Sequence, residues 1–111
     1  MAVFDEENKR LKQRNPFNHS FSFDQIDIEL GYIRDINCAG VGVDISETGL
    51  GMSSSYSLKK AQVVKLYLPV IEKDIPLPVF AEVMWSKADN SHFKTGLRFL
   101  YLNVTNFGLD L

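Results

Sequence analysis

From Phe21 onward, apolar and polar residues alternate with a period of two, as strands with one face in a core require. Phe21 and Phe23 alternate with serines, and Ile26, Ile28 and Leu30 alternate with Gln25, Asp27 and Glu29. The parity changes between Phe23 and Ile26, which predicts a bulge at Asp24-Gln25. Val41, Val43 and Ile45 alternate with Gly42, Asp44 and Ser46; Val64, Leu66 and Leu68 alternate with Lys65 and Tyr67 until Pro69 stops the pattern. A longer strand is read over 77–86, with Val79, Ala81, Val83 and Trp85 on one face and Phe80, Glu82 and Met84 on the other. Leu97 and Phe99 mark a last strand, and Glu47-Thr48-Gly49, Glu72-Lys73-Asp74 and Ala88-Asp89-Asn90-Ser91 supply turns between runs. Only residues 57–61 and the tail after Tyr101 leave room for helix. The expectation is an all-β fold, a six-stranded antiparallel β-barrel with at most a short C-terminal helix, because closure removes exposed edges.

Residues 1–18 break from this pattern. Val3, Phe4, Glu7 and Leu11 have helix-like spacing, but Pro16 disfavours helix at Asn15. The stretch is read as a partly helical or irregular arm, with residues 19–111 forming one barrel domain. A chain of 111 residues is too short for two ordinary cores.

Composition narrows the function classes. No apolar run approaches the roughly 20 residues of a membrane-spanning helix, and the acidic N-terminus does not resemble a signal peptide, so the cytoplasm is the expected compartment. The single cysteine, Cys38, cannot close an intramolecular disulfide and reads as inert. Net charge is −2, without the basic surplus that phosphate-driven DNA or RNA binding needs. His19 and His92 have no evident nucleophile, and no nucleophile elbow, phosphate loop or zinc helix motif occurs, so no enzyme is expected.

Two segments carry chemistry. Arg10 and Arg14 are four residues apart, on one face whether the segment is helical or extended, so both guanidiniums can address one object. Arginine suits a guanine edge and a phosphate alike. On charge alone, a run of this kind reads first as a solvated arm. Further on, alternation places Val43 and Ile45 inward, and Asp44 and Ser46 outward together at a strand end. Gly49 is expected to turn the chain through a positive φ. Asp44 can accept from a guanine N1–H and amine; ordinary capping of turn amides is the alternative use of Asp and Ser here.

R-x-x-x-R, a spacer of 29 residues (15–43), then D-x-S-x-x-G ahead of a β-rich body resembles the PilZ domain family. Val79-Phe80-Ala81-Glu82-Val83-Met84-Trp85 looks like that family's apolar strand ending in Trp, and Gly96-Leu97-Arg98-Phe99 like its closing Gly-x-x-Phe strand. The resemblance covers about residues 9–100. It implies a bacterial cyclic di-GMP receptor without other cofactor or metal, whose flexible N-terminal arm closes over the ligand. Carried over, Arg10 and Arg14 would clamp guanine edges and phosphates, Asp44 would bond a guanine edge, Ser46 would support those contacts and Gly49 would shape the turn. Ordering of the arm would signal to a downstream protein partner in motility, adhesion or exopolysaccharide control. Lys9 stands before Arg10, where the family varies between one and two bound ligand molecules. The short tail, interrupted by Gly108, departs from the substantial C-terminal helix common in the family.

Other readings stay open. A protein-interaction module on the same barrel would have no nucleotide ligand. A single-strand nucleic-acid binder would need exposed aromatics on a basic groove. Trp85 reads as a core or barrel-end residue, Arg98 as an outward residue outside the site, and Lys59 and Lys60 as a solvated face.

Overall fold

The computed structural model describes residues 14–27, 29, 32–70 and 73–100, which are strands and turns without helix. These residues form β1 (Asn15–Pro16), β2 (Ser20–Asp27), β3 (Tyr32–Ile45), β4 (Gly49–Ser54), β5 (Val63–Val70), β6 (Lys73–Asp89) and β7 (His92–Phe99). All pairings are antiparallel, in the order β3-β2-β5-β6-β7-β4, and β4 pairs back onto β3. The sheet therefore closes into a six-stranded barrel, as the alternation predicts, and β1 adds a short extra strand along β3. The tail after Tyr101, and Ile28 and Leu30 of the alternating run, lie outside the described residues.

The interior is filled from six strands and one loop. Phe21, Phe23, Val64, Leu66, Leu68, Ala81, Val83, Leu50, Met52 and Leu97 point inward, with Cys38 from β3 and Leu58 from the loop before β5. The segment 57–61, which had room for helix, is irregular: Leu58 is buried, and Ala61 donates its N–H to the Val83 carbonyl at 2.7 Å. Pro69 lies within β5 rather than ending it, at a register shift where a missing N–H breaks no ladder bond.

Bulges reset the parity of three strands. In β2 the register shifts around Gln25, where a bulge was expected, and both Asp24 and Gln25 are buried. Asp24 accepts from the Tyr67 hydroxyl at 2.7 Å and the Asn37 amide at 3.1 Å; Gln25 accepts from Gln62 at 2.8 Å. These bonds satisfy side chains that would otherwise be costly to bury.

In β3 the inward positions are Cys38, Gly40 and Gly42, while Val41 is 49% exposed, contrary to the simple alternation. Small residues are required there because Met52 and Phe21 fill the space beside Gly40, and Phe17 fills the space beside Gly42. One extra residue, Val43, then sits between the pairs Gly42↔Met52 and Asp44↔Gly51. That bulge turns Ile45 toward the core and Asp44 outward.

In β6 the shift falls between Val83, paired with Leu97, and Trp85, paired with Gly96. Met84 is the extra residue, and Trp85 is thrown to the outer face, 48% exposed.

Candidate ligand-binding site

The bulges in β3 and β6 align Asp44 and Trp85 on one outer surface. Read across the barrel wall, Asp44 pairs with Gly51, Gly51 with Gly96, and Gly96 with Trp85. Three strand spacings separate the carboxylate strand from the indole strand, roughly 14 Å. The two positions between are glycines, so the wall forms a trough with backbone for its floor. Asp44 leans over one glycine: a Cβ on Gly51 would stand 2.8 Å from its Oδ1. Trp85 leans over the other, covering Gly96.

Arg14 closes one side. Its Nη1 donates to Asp44 Oδ1 at 2.9 Å, and the same oxygen accepts the Gly51 N–H at 3.1 Å. Asp44 Oδ2 has no partner among the described residues. Both side chains of the ion pair are substantially exposed, so the pair contributes about 0–1 kcal/mol and is readily exchanged for a ligand. Arg14 is held in place by the chain after it: Asn15 and Pro16 pair with Ile45 and Asp44, and Phe17 donates to the Val43 carbonyl at 3.1 Å.

Two cavities flank this arrangement, of about 180 Å³ and about 270 Å³. Arg14, Trp85 and Gly96 line both. Asp44, Gly51 and Lys94 belong to the first, and Thr48 and Arg98 to the second. A cation, an open carboxylate oxygen and a large exposed aromatic around a glycine floor suit a planar heterocycle with donors on one edge and anionic groups nearby.

Ser46 does not join Asp44 on the outer face as alternation suggested; it is 8% exposed. β3 ends at Ile45, and the chain turns before the next outward position. The Ser46 hydroxyl accepts the Thr48 N–H at 3.3 Å, lies 3.2 Å from the Thr48 hydroxyl and reaches the Gly49 carbonyl at 3.4 Å. This is the turn chemistry open to Ser in such a position.

Gly49 also has a different reason for being glycine. Its φ is not positive; instead a Cβ there would stand 2.0 Å from the Leu97 carbonyl oxygen on β7. Close approach of two backbones, rather than turn handedness, fixes the residue.

Arg10 lies outside the described residues. Arg98 faces outward as expected and donates to Glu82, while also lining the second cavity. Trp85 is the residue that the sequence reading left out of the site. Its signal was the run Val83-Met84-Trp85, three apolar residues in succession that cannot all obey a period of two and so imply a bulge.

Among the described residues no helix is long and apolar enough to cross a membrane. No curated protein matches the chain significantly. The family model for the PilZ domain matches residues 8–109, nearly the whole length, and spans both the arginine segment and the Asp44–Gly49 turn. The chain belongs to the PilZ domain family, a family of cyclic di-GMP-binding receptor modules.

Proposed function

We propose that this protein is a non-catalytic cyclic di-GMP receptor whose ligand lies in the trough between Asp44 and Trp85. The observation that carries the reading is Arg14 bonded to Asp44 beside two glycines and an exposed indole. One guanine stacks on Trp85, and Asp44 accepts from its N1–H and amine through the oxygen that is open now. Arg14 leaves Asp44 Oδ1 for O6 and N7 of the base or for a phosphate, and Arg10 supplies the second guanidinium. Ser46 acts at second hand, holding the turn that presents Thr48 to the second cavity. Gly49 lets β4 approach β7 and so sets the trough's width. The arm orders over the ligand, and a downstream protein reads the new surface in motility, adhesion or exopolysaccharide control.

A second reading, a protein-interaction module without a nucleotide, draws on the β5–β6 hairpin. Ile75 is 70% and Leu77 52% exposed there, on a part of β6 that extends beyond its pairing with β7.

Calorimetric titration of cyclic di-GMP into the wild type and Arg10→Ala/Arg14→Ala separates the two. Charge-assisted bonds are worth about 1.5–3 kcal/mol each, so the double variant should bind about 10²- to 10⁴-fold more weakly. A folded wild type that takes up no cyclic di-GMP overturns the receptor reading and leaves the interaction module.

A further inference from the structure

One row along from the trough floor, Ser53 of β4, Lys94 of β7 and Lys87 of β6 stand side by side on the outer face. Their neighbours Met52, Thr95 and Ser86 take the inward positions, where the Ser86 and Thr95 hydroxyls lie 3.3 Å apart. Lys87 and Lys94 are paired directly, with Cβ atoms about 4.5–5.5 Å apart, an arrangement of like charges that opposes sheet pairing. Neither lysine takes part in an ion pair with a described residue. Asp89, the next outward acid on β6, is in register with His92 at the hairpin end.

Lys94 also lines the first cavity together with Arg14, Asp44 and Trp85. It lies two residues from Gly96 along β7, about 7 Å, as Lys87 lies two residues from Trp85 along β6. The cation on the opposite side of Trp85, Arg98, is already engaged with Glu82. The uncommitted positive charge beside the indole is therefore on the lysine side.

Resting on the receptor reading, we infer that Lys94, backed by Lys87, forms a phosphate subsite at the hairpin side of the trough, outside the arginine and D-x-S-x-x-G segments. A base on Trp85 then has its phosphate directed along the β6–β7 hairpin, where the anion relieves the repulsion between the two ammonium groups. Ser53 offers a hydroxyl to the same oxygens.

The test is cyclic di-GMP titration of the full chain at about 0.05 M and about 0.5 M salt, where exposed charges are weakly and strongly screened. Wild type is compared with Lys87→Gln/Lys94→Gln and with Lys94→Arg, folding being checked by thermal denaturation. The glutamine variant should bind about five- to tenfold more weakly at low salt, with the difference closing at high salt, and Lys94→Arg should retain wild-type affinity. Unchanged affinity and salt dependence in the glutamine variant would overturn the subsite while leaving the receptor reading intact. An equal loss at both salt concentrations would also overturn it, since the cause would then be shape rather than charge. A wild type that fails to bind cyclic di-GMP at either salt overturns both.

Discussion

Trp85 lies across Gly96 so closely that a Cβ on the glycine would stand 2.2 Å from the indole nitrogen. The two residues are a registered cross-strand pair, and the missing side chain of one is the seat of the other. Trp85 is the only tryptophan in the chain, so its fluorescence reports on this seat alone.

Gly96→Ala should displace the indole while leaving the inward face of β7 untouched. The expected result is a shifted tryptophan emission maximum and cyclic di-GMP binding weakened at least about tenfold, because base–aromatic stacking is worth about 1–3 kcal/mol. Emission and affinity equal to wild type would remove Trp85 from the site.

Asp44→Ala separates stability from binding. The half-exposed pair with Arg14 contributes about 0–1 kcal/mol. Loss of the acceptor for the Gly51 N–H adds about 1 kcal/mol. Urea denaturation should therefore show a loss of no more than about 2 kcal/mol, alongside loss of detectable ligand heat.

Gly49→Ala should behave in the opposite sense, as a folding variant first. Its Cβ meets the Leu97 carbonyl, part of the β7 backbone, and cannot be accommodated by a rotamer change. Denaturation should show destabilisation of about 1–3 kcal/mol, typical of overpacking. Stability equal to wild type would mean that β4 and β7 are farther apart than described.

Ala61 holds φ 73° in the loop that carries Leu58 into the core. A left-handed conformation disfavours any residue with a Cβ by about 1–2 kcal/mol, and glycine gives back part of the gain through its freer unfolded chain. Ala61→Gly should raise stability by about 0.5–1 kcal/mol in the same assay; destabilisation would contradict the loop geometry.

Tyr56 gives stability a pH dependence whose sign follows from its surroundings. Its hydroxyl is pushed above the ordinary 10.0, first by the neighbouring Cys38 side chain, then by desolvation and by the Asp35 carboxylate. The folded chain thus holds this proton more tightly than the unfolded one. The associated stability is fully present below about pH 10 and is lost as pH rises through the folded value. Denaturation of wild type and Tyr56→Phe should show a wild-type advantage that shrinks above about pH 10; an advantage that grows would reverse the sign.

Strands whose inward positions hold large aliphatics were legible from the sequence. Val64, Leu66 and Leu68 alternate without interruption, and β5 follows them. The first half of β3 was not, because its inward positions are Cys38, Gly40 and Gly42 while Ile36 and Val41 face solvent. Its pattern is set by how much room Phe17, Phe21 and Met52 leave, which is a property of other strands. The outward aim of Asp44 was read correctly, yet that of Val41, three residues earlier, was not, since the bulge at Val43 lies between them. Ser46 and Gly49 were legible as special residues but not in their reasons, which depend on where β3 stops and how near β7 passes. Position in the chain singled out Arg14 and Asp44; only pairing across four strands revealed that Trp85 shares their face and lines the same cavity.

The short strand β1 has one more effect. It fixes the chain at Asn15, immediately after Arg14, so Arg10 is joined by four peptide units to a point already on the trough's rim. A fully extended chain of that length spans at most about 14 Å. Within so small a radius the local concentration of the first guanidinium around a ligand held by the second is millimolar or higher. On the receptor reading proposed above, recruitment of Arg10 after Arg14 would be an intramolecular step, governed by tether length rather than by the abundance of the protein.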